Sequence, residues 1–507
     1  MPPPHGFYPH GLNYTDECRQ AVVDEYDPDL IDEWSGGTSN RAYFYTSRGI
    51  ASNMQFDYEM NQALNGIMGW CDSVYRTLGP GPVGSADNGI AVTEHGSSEY
   101  SGYHSYTMDP LASRWHASLT ASFSRAGGFN DALFQDNLAN NLWSDIGGFG
   151  DEDNRQFLAA VRSRFTAAEL STMGFPSNVS SFRIRDHLAL LRKRGQSNED
   201  VVTEPIMHEL LRFTHVQSML NAVHSAEAMK AAAVSSGGGA GHATVFYGNL
   251  PNAGGLHASV VMFAANAVDV IWSEQSEDFQ PGFADDVTPN ASAESQAAPG
   301  RQAYSTLVYK VGSAAGGFRL PVITLEYVGA HYPNPSYPGV TVATKILPEA
   351  AYLAETSANG GIACMTDVAT PWKAHLPPPQ GQGGAGIPPL GWPSASMKPH
   401  RDLNALHAQF LHANRGLFTD RSRVARLALV YSLPSMLWRD WAPLRAKTIP
   451  HREHFTAAAR LLEDRRIMYE VLILGHPDFL DSNSSLSRLD RYGSLLLPAI
   501  DCIADAD

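Results

Sequence analysis

The chain has 507 residues, enough for two or three domains at about 150 residues each, one of which can be an α/β barrel of roughly 250 residues or more. Hydrophobic residues make up 43% and charged residues 17%, and no run approaches the roughly 18 apolar residues of a membrane span, so a large folded core is expected and membrane partners are not. The net charge of −16 argues against nucleic acid, because phosphate binding needs surplus basic charge.

The N-terminus, Met1-Pro2-Pro3-Pro4-His5, has neither the basic nor the apolar region of a secretion signal, so a cytoplasmic location follows by default. The segment YTDECRQAVVDEYDPDLIDEW, residues 14–34, has the helix-then-strand rhythm of a barrel unit. Its strand candidates are Leu30 to Trp34 and Arg41 to Tyr45. From there short apolar strands alternate with helical stretches, and each strand ends in polar or acidic residues, which is α/β grammar. Strands are expected at Asn88 to Glu94, Asn130 to Asp136, Ala243 to Asn249, Val268 to Glu274, Pro321 to Glu326 and Gly361 to Asp367. These resemble strands three to eight of a (β/α)₈ TIM barrel whose first two strands are degenerate.

Between the strands, Phe157, Val161 and Phe165 recur at helical spacing, and Thr203-Glu204-Pro205 reads as a helix start ahead of Ile206, Leu210 and Phe213. Ser276 to Gly300 and Leu376 to Ser396 read as loops. The barrel is expected over residues 1–400, and residues 401–423 form a connecting helix and linker. Over 424–507 the strand and helix alternation restarts as a partial flavodoxin-like doubly wound unit, with strands Arg426 to Tyr431, Met468 to Leu474 and Ser494 to Ile500 and a helix at His451 to Arg465. Open parallel sheets usually carry five or more strands. Three leave faces and edges to cover, so the unit is expected to be cut short and to form a homo-oligomer through an exposed strand such as SLLLPAI.

Acidic residues at the C-terminal ends of parallel barrel strands converge on one pocket. Glu94, Asp136, Glu274 and Glu326 stand at such ends. Paired carboxylates suit glycosidic bond cleavage, one protonating the leaving oxygen and the other attacking the anomeric carbon or activating water. Trp272 beside Glu274, His95 beside Glu94, Asn137, Trp143 and Asn249 are candidates for holding sugar rings and hydroxyls. Cys18, Cys71, Cys364 and Cys502 are scattered without ligand spacing, and no glycine-rich phosphate loop occurs in strand-helix context, so neither metal nor cofactor is expected.

The stretch GGFNDALFQDNLANNLWSDIGGFGDEDNRQFLAAVRSRFTAAELSTMGF, then VFYGNL and VDVIWSE, resembles barrel proteins related to glycoside hydrolase family 42 β-galactosidases. RLALVYSLPSMLW, HFTAAARLLEDRRIMYEVLILG and YGSLLLPAIDCIAD resemble the beginning of the glutamine-amidotransferase-like trimerisation domain that follows the barrel in that clan. The resemblance implies a carbohydrate substrate and a retaining glycosidase with an acid/base after strand four and a nucleophile after strand seven. Glu326 in VITLEYVG matches the nucleophile position. At strand four the family's Asn-Glu is replaced by Asp136-Asn137, a carboxyl shorter by about 1.5 Å, one carbon–carbon bond. The acid/base therefore stays open between Asp136, Glu274 and Glu94. A non-catalytic carbohydrate-binding or assembly protein on the same fold, or a polysaccharide lyase, are the competing readings. Ser432 follows a strand but lacks the flanking glycines of a nucleophile elbow, so packing is its expected role.

Overall fold

Eight short strands pair in sequence order: β1 (Gly6–Tyr8), β2 (Leu30–Asp32), β3 (Ala51–Gln55), β4 (Ala132–Gln135), β5 (Ala243–Tyr247), β6 (Val270–Gln275), β7 (Val322–Glu326) and β8 (Ile362–Thr366). Every pairing is parallel, and β1 also pairs with β8, so the sheet closes into a barrel. The computed structural model describes these strands together with residues 149–210, 212–213, 303–319, 353–361, 394–418, 424–435, 451–475 and 483–503, and isolated positions among 20–50 and at 350.

The first three strands correct the sequence reading. Strand one is Gly6–Tyr8, which had no candidate, and Leu30–Asp32 is strand two. β2 pairs directly with Ala51–Gln55, so strand three is β3 and not Asn88 to Glu94, which lies outside the described residues. Of Arg41 to Tyr45 only Phe44 is among the described residues, and it is helical. The physical reason is closure. A strand hydrogen-bonded on both sides holds its conformation through the main chain, so three residues suffice and the aliphatic run that betrays an open-sheet strand is not required. Strands four to eight lie where they were expected.

A helical layer follows β4. Helix α1 (Asp151–Arg164) starts with three acidic residues in its first turn and ends with Arg162 and Arg164, which complements the helix dipole at both ends. It buries Phe157 and Val161 completely, one turn apart. Thr166 caps α2 (Ala167–Met173) in a capping box with Glu169, and α2 ends at Gly174 in the left-handed conformation, φ 103°. Helix α3 (Ile184–Lys193) buries Ile184, Leu188 and Leu191, at helical spacing. Helix α4 (Asn198–Thr203) is capped by Ser197 and Asp200. The chain then re-enters a helix after Glu204, whose carboxylate accepts the Met207 N–H at 2.9 Å, and Ile206, Leu210 and Phe213 are buried there.

Helix α5 (Ala303–Ala315) lies between β6 and β7, and residues 353–359 are helical ahead of β8. Helix α6 (Ser394–Ala413) leads to a three-stranded parallel sheet in the order β10-β9-β11, formed by β9 (Leu427–Ser432), β10 (Tyr469–Leu474) and β11 (Ser494–Leu496). Helix α7 (His451–Asp464) connects β9 to β10, and the short α8 (Asn483–Leu486) precedes β11. α5 packs against β10 and α7. Leu307 and Val311 of α5, Leu429 and Tyr431 of β9, Val471 and Ile473 of β10, and Phe455 of α7 belong to one buried cluster with α1 and α3. The opposite face, Ala428, Val430 and Leu472, is covered by Phe318, Leu489, Tyr492 and Ile500. Both faces of β9 and β10 are thus covered, whereas β11 exposes Leu495 and Leu496, with Leu497 beyond it.

Candidate functional site at the barrel mouth

Because all eight strands run parallel, their C-terminal residues Tyr8, Asp32, Gln55, Gln135, Tyr247, Gln275, Glu326 and Thr366 stand at one end of the barrel. Two of the sequence-derived carboxylates are there: Glu326 is the last residue of β7, and Glu274 is the last but one of β6. Asp136 directly follows β4, whose last residue is Gln135. Asp136, Asn137, Trp143, Asn249, Glu94 and His95 lie outside the described residues.

Register separates the two carboxylates of β6 and β7. Gln275 is the partner of Glu326, Glu274 is the partner of Leu325, and Trp272 is the partner of Ile323. Register partners in adjacent strands share a face of the sheet and successive residues alternate. Glu326 and Gln275 therefore occupy one face by register, and Trp272 and Glu274 the other. Asp136, one residue past the end of its strand, is not bound by that alternation.

Sequence reasoning missed Asp32, Gln55 and Gln275 at this end. Gln55 was hidden because β3 was sought some forty residues downstream, about one barrel unit, and Asp32 because its strand was expected to run on to Trp34. Gln275 was hidden because β6 was expected to end at Glu274. The signal available for Asp32 was its place at the end of the Leu-Ile-Asp run.

At the C-terminal end of β9, Ser432 is fully buried and takes part in a closed network. Its Oγ donates to the Cys502 carbonyl at 2.6 Å and accepts from the Ser435 N–H at 3.1 Å. His451 Nε2 accepts the Ser432 backbone N–H at 2.9 Å, so Nδ1 carries the proton and donates to the Pro498 carbonyl at 2.7 Å. Burial lowers the His451 pKa, against the hydrogen bond to Pro498 that raises it. The basic lone pair of His451 is spent on an amide and not on the hydroxyl, so this arrangement ties residues 498–502 to β9 and activates no nucleophile. Among the described residues no group of three or more His, Cys, Asp or Glu is placed to hold a metal ion, and no helix is long and apolar enough to cross a membrane.

This architecture is shared with β-galactosidases of known structure. The chain is similar to the β-galactosidase of the psychrophilic Marinomonas ef1 with a TM-score of 0.65 and 13% identity, over 100% of this chain and 73% of that one. It is similar to the β-galactosidase of Bacillus circulans sp. alkalophilus with a TM-score of 0.60 and 10% identity, over 98% and 67% of the two chains. The cold-adapted β-galactosidase of Rahnella sp. R3 superposes with a TM-score of 0.59 and 12% identity, over 97% and 66%. The likeness is one of fold. No protein-family model and no curated protein matches the sequence.

Proposed function

We propose that the barrel is a retaining glycosidase of the glycoside hydrolase family 42 type that acts on β-galactosides, with Glu326 as nucleophile and Asp136 as acid/base. The observation that carries this reading is the position of Glu326, the terminal residue of β7 at the C-terminal end of a barrel whose fold β-galactosidases share. In this scheme ionised Glu326 attacks the anomeric carbon while Asp136 protonates the departing oxygen. Asp136 then removes a proton from the water that releases the sugar from Glu326. Register favours Asp136 over Glu274, because Glu274 and Glu326 occupy alternate faces across β6 and β7. Asn137, Trp143, Asn249, Glu94 and His95 are the proposed sugar contacts, whereas Trp272 shares the register face of Glu274 and is left out on the same ground. Residues 424–507 are proposed as the glutamine-amidotransferase-like unit, a reading supported by the parallel order β10-β9-β11.

A panel of aryl glycosides tests the assignment. Glu326→Gln is expected to lower kcat/KM by about a thousandfold or more, the scale on which loss of a nucleophile acts. Asp136→Asn is expected to retain turnover of dinitrophenyl glycosides, whose leaving group needs no acid, while losing it on alkyl glycosides. Unchanged hydrolysis by Glu326→Gln would remove Glu326 from the mechanism. The second reading, a carbohydrate-binding protein without turnover, is favoured by the shortened carboxyl at Asp136. It predicts glycan binding by the unaltered chain with no hydrolysis of any panel member.

A further inference from the structure

On α5, Thr306 and Lys310 stand one turn apart on the same face, and each engages a carboxylate from a different element. The Thr306 hydroxyl donates to Glu355 from the helical residues 353–359. Lys310, 8% exposed, meets Glu463 of α7 at 3.4 Å, and its ammonium lies 3.5 Å from the ring centroid of Tyr469 in β10. The Lys310 charge thus pairs with Glu463 and acts through space on Glu355, where two segments of the barrel's helical layer meet α7 of the C-terminal unit. Among the described residues the charged and titratable groups set around Glu355 are Lys310 from α5 and Glu463 from α7. Tyr469 lies beneath Lys310, and His407 of α6 reaches the neighbouring Ser357 at 3.2 Å.

We propose that this junction is a proton-operated latch between the barrel and the C-terminal sheet. With Glu355 protonated, Lys310 and Glu463 form a balanced pair and α7 is held against α5. With Glu355 ionised, two carboxylates compete for one ammonium in a half-buried site, and the uncompensated charge is relieved by opening. Burial pushes the Glu355 carboxyl up to about 7, with Glu463 adding to the rise and the Thr306 hydrogen bond and Lys310 opposing it. The latch is therefore set to work within the neutral range. It also lies on the helix that leads into β7, the strand that ends at Glu326.

Hydrogen exchange of the full chain, corrected for the intrinsic pH dependence of exchange, tests this at the amides of α5. Opening releases the Glu355 proton, so protection in α5 should fall by about tenfold per pH unit between pH 5 and about 7 and level off above. Glu355→Gln keeps an acceptor for Thr306 without the charge. Its α5 protection should be flat with pH and should stay at pH 8 near the value wild type has at pH 5. Glu463→Gln leaves Lys310 to Glu355 alone and should move the fall to lower pH. A wild type without the fall, or the same fall in Glu355→Gln, would overturn the latch.

Discussion

Asn154, on the first turn of α1 and 6% exposed, ties two distant parts of the chain with one side chain. Its Nδ2 donates to the Phe182 carbonyl at 3.1 Å, and its Oδ1 accepts the Ile184 N–H at 2.9 Å. That amide belongs to the first turn of α3, where N–H groups lack intrahelical partners, and the carbonyl lies just ahead of it. Asn154→Ala should cost about 1–3 kcal/mol, since the buried Ile184 N–H is orphaned while the Phe182 carbonyl keeps the Arg183 guanidinium at 3.0 Å. A urea denaturation series measures it, and a loss below about 0.5 kcal/mol, a surface-substitution effect, would contradict the bridge. Glu355 acts at the same scale through pH. A folded-state pKa of about 7 against the ordinary 4.5 means that the folded chain keeps a proton the unfolded chain has released. Stability then falls as pH rises from about 4.5 to about 7, by a total on the order of 3 kcal/mol. His451, held below its ordinary value mainly by burial, slopes the other way, losing stability as pH falls below about 6.5. The two partly cancel in wild type, so only the difference between wild type and Glu355→Gln isolates the carboxyl.

At the level of elements, legibility followed composition. β5 to β8 carry Val, Ile, Phe and Trp in runs bounded by turn residues, and they lie within a residue or two of their expected places. β3, Ala-Ser-Asn-Met-Gln, has the pattern of a loop, and NGIAVTE downstream has the better strand pattern, so β3 was passed over. What the eye for periodicity lacks is the closure of the barrel, which lets polar residues sit in a strand that two neighbours hold. Capping boxes at Thr166 and Ser197 mark helix starts in the sequence, but the helical spacing of Phe157, Val161 and Phe165 gives no sign of them. Helix α7 ends in a Schellman turn in which Ile467 N–H bonds to the Leu462 carbonyl at 2.9 Å and Arg466 N–H to the Glu463 carbonyl at 2.8 Å. Arg466 carries the left-handed turn at φ 55°, a conformation that costs an L-residue with a side chain about 1–2 kcal/mol. Arg466→Gly should therefore stabilise the chain by about 0.5–1 kcal/mol after glycine's entropy is subtracted. A lower urea midpoint in that variant would show that the arginine side chain contributes more than its backbone costs.

For the whole molecule the sequence marked where the strand and helix alternation restarts after α6 but could not show how the C-terminal sheet is seated, because the contacts join residues more than a hundred positions apart. α5 is the link. Reading it as an ordinary barrel helix accounts for one apolar face, whereas Leu307, Tyr309 and Val311 share a buried cluster with Leu429, Tyr431, Val471 and Ile473. The same cluster continues to Phe157, Leu158 and Val161 of α1. A core shared in this way cannot lose the sheet without exposing the helical layer, so the chain should unfold in one calorimetric transition and not as separate units. Leu429→Ala in β9 and Leu158→Ala in α1 test this, since the two leucines are 0% and 5% exposed and belong to different ends of the chain. Each should cost about 2–5 kcal/mol through lost burial and the cavity left behind, and each should shift the same single endotherm to lower temperature. If Leu429→Ala instead splits the endotherm and leaves one part at the wild-type temperature, the sheet and the helical layer are independent, and the shared cluster does not couple them.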